Sequence, residues 1–328
     1  MTNVAAFLAV AVVSAAGTAA ARAYALRRRL VDEPGERRSH AVATPRGGGA
    51  GPVAALLLWF AVAQPAGAPT WWVAAALAGV ALIGAWDDHA SLPVSWRLIV
   101  HVLASLAVAA ATVDVETRPW AFFAIAAGGV VLVNVWNFMD GIDGIATSQA
   151  VIAAIAIGLA SPAAHDASFA LAAACIAFLP FNFPRARIFL GDVGSGALGL
   201  AIGWIVATAS VHAADAGDWL LPALPISAFL VDATLTLLRR MLRRERWWEP
   251  HTQHLYQGLA RRYGHVRVTL AYAGWSILAA LAALAVQPYG AAFTMGSVVL
   301  CYMGAALLWL VLQHQVAAER DASATRDP

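Results

Sequence analysis

The sequence predicts an all-α, polytopic integral membrane bundle of ten to eleven transmembrane helices, with its polar chemistry gathered at one membrane face. Composition is the first ground: 61% of the 328 residues are hydrophobic and 12% are charged, against about 25% charged in an ordinary soluble domain. Mean hydropathy is +0.69. The second ground is length, because apolar runs of about 17 to 22 residues, enough to cross a bilayer as helix, recur along the whole chain. The third is charge placement: there are 21 basic residues, none of them lysine, clustered between the runs.

Taken in order, the runs place spans near 3–23, 49–66, 70–86, 97–113, 120–137, 148–160, 167–182, 196–212, 219–238, 268–286 and 291–312. Residues 1–312 are expected to form one integral domain, followed by a short polar tail over 313–328. No basic residue precedes the first run and "RRRL" follows it, an order that suits an uncleaved first span. The run at 148–160 is short, so its helix is expected to extend back through the polar residues before it. Cys175 and Cys301 each lie inside an apolar run without a CxxC partner, and read as packing residues.

With the N-terminus outside, only Arg118 of the 21 basic residues falls on the outer side. So one-sided a distribution fixes orientation by the positive-inside rule. It also assigns the basic residues to membrane sidedness, and no nucleic-acid partner is expected. Every polar motif then faces the cytoplasm: "RRSHAVATPRGGG" (37–49), "GAWDDHASLPVSWRLIVH" (84–101), "NVWNFMDGIDGIA" (134–146), "FNFPRARIFLGDVGSG" (181–196) and "RRERWWEPHTQHLYQGLARRYGH" (243–265). The outer connections are short and chemically bland.

Ionisable groups at membrane depth are functional candidates by default. Asp87, Asp88, Asp140, Asp143, Asp192 and Asp232 all fall at or near the same face, a set that could hold a divalent cation. Magnesium takes oxygen ligands and commonly uses one or two carboxylates plus substrate phosphates. The amide oxygen of Asn137 is a further candidate. Gly191, Gly194 and Gly196 surround Asp192 and Ser195 just before a helix, so backbone N–H groups there could face a phosphate. Arg46 in "TPRGGG" offers a second flexible cationic turn. Both turns also read as plain turn chemistry when taken singly.

Other residues keep two readings. Arg97 and His101 are four apart on one face and could hold an anionic headgroup, or Arg97 could snorkel to ordinary lipid. Asp87 and Asp88 could form a solvated helix end. His251 and His254 are three apart, a spacing that could share a helical face, and suit phosphate contact or capping better than metal ligation. Trp247 and Trp248 suit an interfacial anchor. Asp232 could serve the site or pair with an arginine.

"TPRGGG", "DDHASLPVSWRL", "NVWNFMDGIDGIA", "ARIFLGDVGSG" and "HTQHLYQ" together resemble, in type, order and placement between spans, the polyprenyl-phosphate N-acetylhexosamine-1-phosphate transferases, over about residues 30 to 270. That resemblance implies a multi-pass enzyme of the cell inner (cytoplasmic) membrane. It would pass a sugar 1-phosphate from a UDP-linked N-acetyl sugar to polyprenyl phosphate, with release of UMP. It implies Mg²⁺, with Mn²⁺ as the alternative, held by Asn137 and Asp192. Phe189 would stack on uracil and Asp143 would bind the uridine. Asp87 and Asp88 match the family's aspartate pair. A phosphate monoester is already largely dianionic near neutral pH, so direct attack by the lipid phosphate, with Asp88 assisting, is expected rather than an aspartyl-phosphate intermediate.

Two departures narrow the reading. The peptidoglycan translocases resemble "DDxxK" and carry three consecutive histidines, where this chain has "DDHAS" and "HTQH". Arg97 is left as the nearest cation, and "HLYQGLARRYGH" looks more like the O-antigen initiating branch. Substrate contacts are expected from Arg46, His101, Asp140, Asp143, Phe189, Ser195, His251 and His254, and catalytic roles from Asp87, Asp88 and Arg97. The alternatives are a phospho-N-acetylmuramoyl-pentapeptide transferase, an ion-coupled transporter, and a CDP-alcohol phosphotransferase, whose further aspartates do not follow "DGIDG". The lipid bilayer is one partner, and a second copy of the chain is a candidate for another.

Overall fold

A computed structural model describes residues 2–33, 43–63, 70–213, 216–246, 248–249 and 251–324. Arg37 and Arg38 of the first motif, most of the "QPAGAPT" connection, Trp247 and Arg326 lie outside the described residues. Twelve described helices follow in order: α1 (Thr2–Arg28), α2 (Ala50–Ala63), α3 (Thr70–His89), α4 (Val94–Thr112), α5 (Pro119–Met139), α6 (Ile145–Ala160), α7 (His165–Asn182), α8 (Asp192–Val211), α9 (Ser227–Leu242), α10 (Leu255–Tyr263), α11 (His265–Val286) and α12 (Ala291–Ala324). The protein is a polytopic helical membrane protein. Nine described helical segments are long and apolar enough to cross a membrane, and Ala50–Val62 and Ile145–Ala160 are shorter apolar helices. Each run expected from sequence coincides with one of these eleven.

Three boundaries differ from expectation. α6 reaches back only to Ile145, because Gly144 adopts φ +71° and breaks the helical path. The ninth span is not uniform: Ala216–Ile226 is a 3₁₀ segment interrupted by Pro222 and Pro225 before α9 begins. α12 runs on to Ala324, so most of the expected tail continues its helix.

α8 is the axis of the bundle, since 83% of its most apolar window is buried, against 17% for α1 and α12. Small residues let its neighbours come close, as membrane helices require when there is no water to expel. A side chain at Gly199 would meet the Val133 Cα of α5 at 2.7 Å, and one at Gly84 of α3 would meet the Val193 backbone N at 2.7 Å. Cys175 is fully buried and free, and Cys301 is also free. A two-stranded antiparallel ribbon, β1 (Val31–Asp32) and β2 (Thr44–Pro45), lies at the end of the bundle that carries the motifs. It ends in the Gly47–Gly49 turn that starts α2.

Candidate active site

The site is assembled by backbone hydrogen bonds between segments far apart in sequence. Phe189 N–H donates to Pro45 O (2.8 Å), Gly48 N–H to Phe189 O (2.9 Å) and Gly49 N–H to Leu190 O (2.8 Å), so "TPRGGG" is laid along "IFLG". Buried Asn182 joins a third segment: its Oδ1 accepts the Gly144 N–H (3.0 Å) and its Nδ2 donates to Ile188 O (3.1 Å). These bonds enclose a cavity of about 230 Å³, lined by Asp32, Arg46, Asp88, Asn137, Asp140, Gly141, Ile142, Asn182, Phe189, Gly191, Asp192, Ser195 and Gln257.

The helix α8 terminus corrects one expectation. Its first N–H groups do not point into open space for a phosphate: Asp88 Oδ1 accepts from Asp192 N–H (3.2 Å) and Oδ2 from Val193 N–H (3.1 Å). The Gly194 and Ser195 N–H groups both donate to Gly191 O (3.0 and 2.9 Å). Asp88 is thus the cap of α8, a carboxylate placed where the helix dipole favours negative charge. Neither it nor Asp87 is a solvated helix end, the two side chains being 6% and 8% exposed. Arg46 Nη2 donates to the Asp88 carbonyl, and its Nε stands 3.9 Å from Asp88 Oδ1.

Gly191 makes this approach achievable. It sits at φ +74°, ψ 171°, and a Cβ there would meet both Asp88 Oδ2 and Gly47 N at 2.7 Å. Such a backbone is essentially reserved to glycine, at a cost of about 1–3 kcal/mol for other residues. Gly191→Ala is therefore expected to lower stability by about 2 kcal/mol or more, read as a fall in Tm in detergent.

Around Asp192 the groups interlock. Asn137 Nδ2 donates to Asp192 Oδ1 (2.6 Å) and to Ser195 Oγ (3.1 Å). Asp87 Oδ1 accepts Leu92 N–H (2.6 Å), and Arg97 Nη1 donates to Asp87 Oδ2. Arg97 Nη1 is also 3.5 Å from Asp192 Oδ2. The snorkelling reading of Arg97 is corrected: its guanidinium turns inward onto carboxylates. Just beyond the end of α5, burial pushes the Asp140 carboxyl well up, and the nearby Asp192 and Asp88 charges push it further.

Six expected site residues are not among the cavity-lining residues: Asp87 and Arg97, paired with each other as above, and Asp143, His101, His251 and His254. Asp143 Oδ2 lies 3.3 Å from His265 Nδ1. His101 is buried on α4, 6% exposed. His251 and His254 do not share a helical face, because both precede α10. Instead their rings stack at 4.9 Å, and His254 also stacks on Phe138 at 6.0 Å. Asp232 pairs with no arginine among the described residues; it caps α10 through Leu255 and Tyr256 N–H (2.9 and 3.1 Å). Asn134 Nδ2 donates to Val130 O of its own helix (2.8 Å).

Sequence reasoning missed Asp32, Asn182 and Gln257. The Gln257 amide oxygen is buried beside the cavity without a hydrogen-bond partner. Tyr256, its neighbour, donates to Phe138 O (2.9 Å) and fills the space that only a glycine at 141 leaves open. The "HLYQ" run and its glycine-rich counterpart "DGIDG" were legible as motifs, but their mutual contact was not.

The late loop carries a pH signature. Burial, then the neighbouring His254 and Arg240 charges, hold His251 down at about 4, although Glu245 and Asp232 act the other way. The folded chain therefore keeps this ring neutral while the unfolded chain protonates it below about 6.5. The contribution is full above pH 6.5, declines as the pH falls, and is gone by about pH 4. For a half-buried ring, solvent screening leaves about 1 kcal/mol. The fall in Tm between pH 7.5 and pH 5 is expected to be smaller in His251→Phe than in the wild type.

Residues 70–210 match the family model described as glycosyl transferase family 4. Over that segment the chain is similar to glycosyl transferase family 4. The matched segment runs from the start of α3 almost to the end of α8, and so contains Asp87, Asp88, Arg97, Asn137, Asp140 and Asp192. The chain is similar to the decaprenyl-phosphate N-acetylglucosaminephosphotransferase of Mycobacterium tuberculosis, 35% identical over 171 residues, 44% of this chain and 42% of that one. It is similar over more of its length to the undecaprenyl-phosphate alpha-N-acetylglucosaminyl 1-phosphate transferase of Thermotoga maritima, 28% identical over 89% of this chain and 92% of the relative. The phospho-N-acetylmuramoyl-pentapeptide-transferase of Rhodopseudomonas palustris is 28% identical over 72% of this chain and 80% of its own. The matches to the mycobacterial relatives span less than half of those proteins' length.

Proposed function

We propose that this protein transfers an N-acetylated sugar 1-phosphate from a UDP-sugar, UDP-GlcNAc or a related donor, to polyprenyl phosphate. The products are polyprenyl-diphospho-sugar and UMP, and the reaction initiates a cell-envelope polysaccharide. The observation that carries the reading is the cavity where Arg46, Asp88, Asn137, Asp140, Phe189 and Asp192 converge. A site at one end suits a lipid headgroup, whereas carriers bind near the bilayer midplane. The names of the relatives support the same substrates. We assign this end to the cytoplasm of the inner membrane, with the N-terminus outside, on the arginine distribution.

The donor set fits magnesium. Asp192 offers a hard carboxylate, and the Asn137 amide, whose Nδ2 donates to Asp192 Oδ1, carries a second oxygen on a neighbouring side chain; among the described residues no group of three or more His, Cys, Asp or Glu is arranged as a metal cage. One carboxylate and one amide, completed by substrate phosphates and water, is the mode in which magnesium binds nucleotides. When bound, Mg²⁺ or Mn²⁺ would neutralise charge on the donor diphosphate.

The residues divide the remaining work. Phe189 supplies a flat apolar face to the uracil, and Arg46 and Arg97 supply positive charge to the phosphates. An oxygen of the lipid phosphate attacks the β-phosphorus of the UDP-sugar while the bond to UMP breaks, so UMP leaves with the bridging oxygen and its electron pair. The attacking dianion needs no strong base. Asp88, with both oxygens held by the α8 N–H groups, acts by fixing the helix end that carries Asp192.

The test uses purified protein, polyprenyl phosphate, Mg²⁺ and a panel of labelled UDP-sugars that includes UDP-N-acetylmuramoyl-pentapeptide. Label in the organic phase with equimolar UMP is expected for an N-acetylhexosamine donor. Transfer of the muramoyl-pentapeptide alone would establish the translocase reading instead. Transfer from no donor, with uptake into proteoliposomes, would establish a carrier.

A further inference from the structure

Four carboxylates, Asp87, Asp88, Asp140 and Asp192, crowd this end of the bundle. Two guanidiniums, Arg46 and Arg97, face them, and the two are engaged differently. Arg46 leans on Asp88, the cap of α8. Arg97 reaches across from α4: Nη1 is hydrogen-bonded to Asp87 Oδ2 and stands 3.5 Å from Asp192 Oδ2. Asp192 Oδ1 is already taken by the Asn137 amide. The oxygen of Asp192 that Asn137 leaves open is thus the one under the influence of Arg97.

We propose that Arg97 is an internal counter-ion that competes with the divalent cation for Asp192, so that metal loading is coupled to arrival of the nucleotide. The inference rests on the function proposed above. Without nucleotide, the guanidinium offsets one of the two charges of Asp87 and Asp192 and repels a second cation a few ångströms away. The diphosphate brings negative charge with it, and cation and Arg97 then both find partners. By linkage, whatever makes nucleotide favour metal makes metal favour nucleotide to the same degree. Arg97 acts here as a positioning and gating residue through Asp192, beyond its expected contact with phosphate.

The test is Mn²⁺ binding to the detergent-solubilised protein without nucleotide, followed by the loss of free Mn²⁺ signal in electron paramagnetic resonance. Removing a unit charge so close to a metal ligand is worth about tenfold or more in affinity even in a high effective dielectric. Arg97→Gln is therefore expected to bind Mn²⁺ alone about tenfold more tightly than the wild type. Arg97→Lys, which keeps the charge, should bind as weakly as the wild type, and adding Asp192→Asn to Arg97→Gln should abolish the gain. A merely structural role for Arg97 would not tighten metal binding. The inference is overturned if Arg97→Gln, with a Tm matching the wild type, binds Mn²⁺ no more tightly, or if neither protein binds it at millimolar concentration. A wild type that moves no sugar phosphate from any donor, alongside the expected Mn²⁺ result, overturns the function and leaves the counter-ion role standing.

Discussion

Asp192→Asn is expected to lower sugar-phosphate transfer by about 10³-fold or more, the scale at which a preorganised electrostatic group is lost, while Tm stays close to that of the wild type. The substitution is isosteric. Its carbonyl oxygen can still accept from Asn137 Nδ2, which now holds Oδ1 at 2.6 Å. Its new NH₂ removes a negative charge from beside Asp87, and both side chains already meet Arg97 Nη1. What disappears is the charge proposed to hold the metal against the diphosphate. Near-wild-type turnover, measured as UMP release, would remove Asp192 from the site.

Asp232→Ala should act on the fold instead, with a loss of about 4 kcal/mol or more. The carboxylate is 1% exposed and is surrounded by donors. Oδ1 accepts from Leu255 N–H (2.9 Å), Thr236 Oγ1 (3.1 Å) and Trp309 Nε1 (3.1 Å), while Oδ2 accepts from Tyr256 N–H (3.1 Å) and the Tyr272 hydroxyl (2.7 Å). Alanine leaves all of these donors buried without their acceptor. Because two of them start α10, the segment that delivers Tyr256 to the "DGIDG" loop should detach first. Faster proteolysis between residues 243 and 264, together with a large fall in Tm, is the expected result. A variant as protease-resistant as the wild type would show that the cap is dispensable.

These two aspartates looked alike in the sequence, each a carboxylate at the same end of an apolar run. Asp192 had glycines and a serine beside it, a local signature that marked it as part of a turn before a helix. Asp232 had only apolar neighbours, and its partners come from α9, α10, α11 and α12. Apart from Thr236, four residues on, nothing near it in sequence announces five donors. Asp88 illustrates the same limit, because its partners lie 104 and 105 residues away. Paired aspartates at a helix end suggest reactivity, whereas the fold uses one of them as a cap.

The sequence by itself determined that the chain is an all-helical membrane protein, the order and position of its spans, and the gathering of its polar motifs at one end. Those properties follow from local quantities: the length of an apolar run, the breaks made by glycine and proline, and the arginines between runs. Only the tertiary structure decided which polar groups satisfy one another and which face the cavity. Asp88 went to the α8 terminus, Asp143 to His265, and Arg97 to Asp87 and Asp192, while Asn182 and Gln257 entered the site unannounced. The physical reason is that a buried donor or acceptor must find its partner wherever packing brings one, and in this bundle packing joins segments that are tens to more than a hundred residues apart.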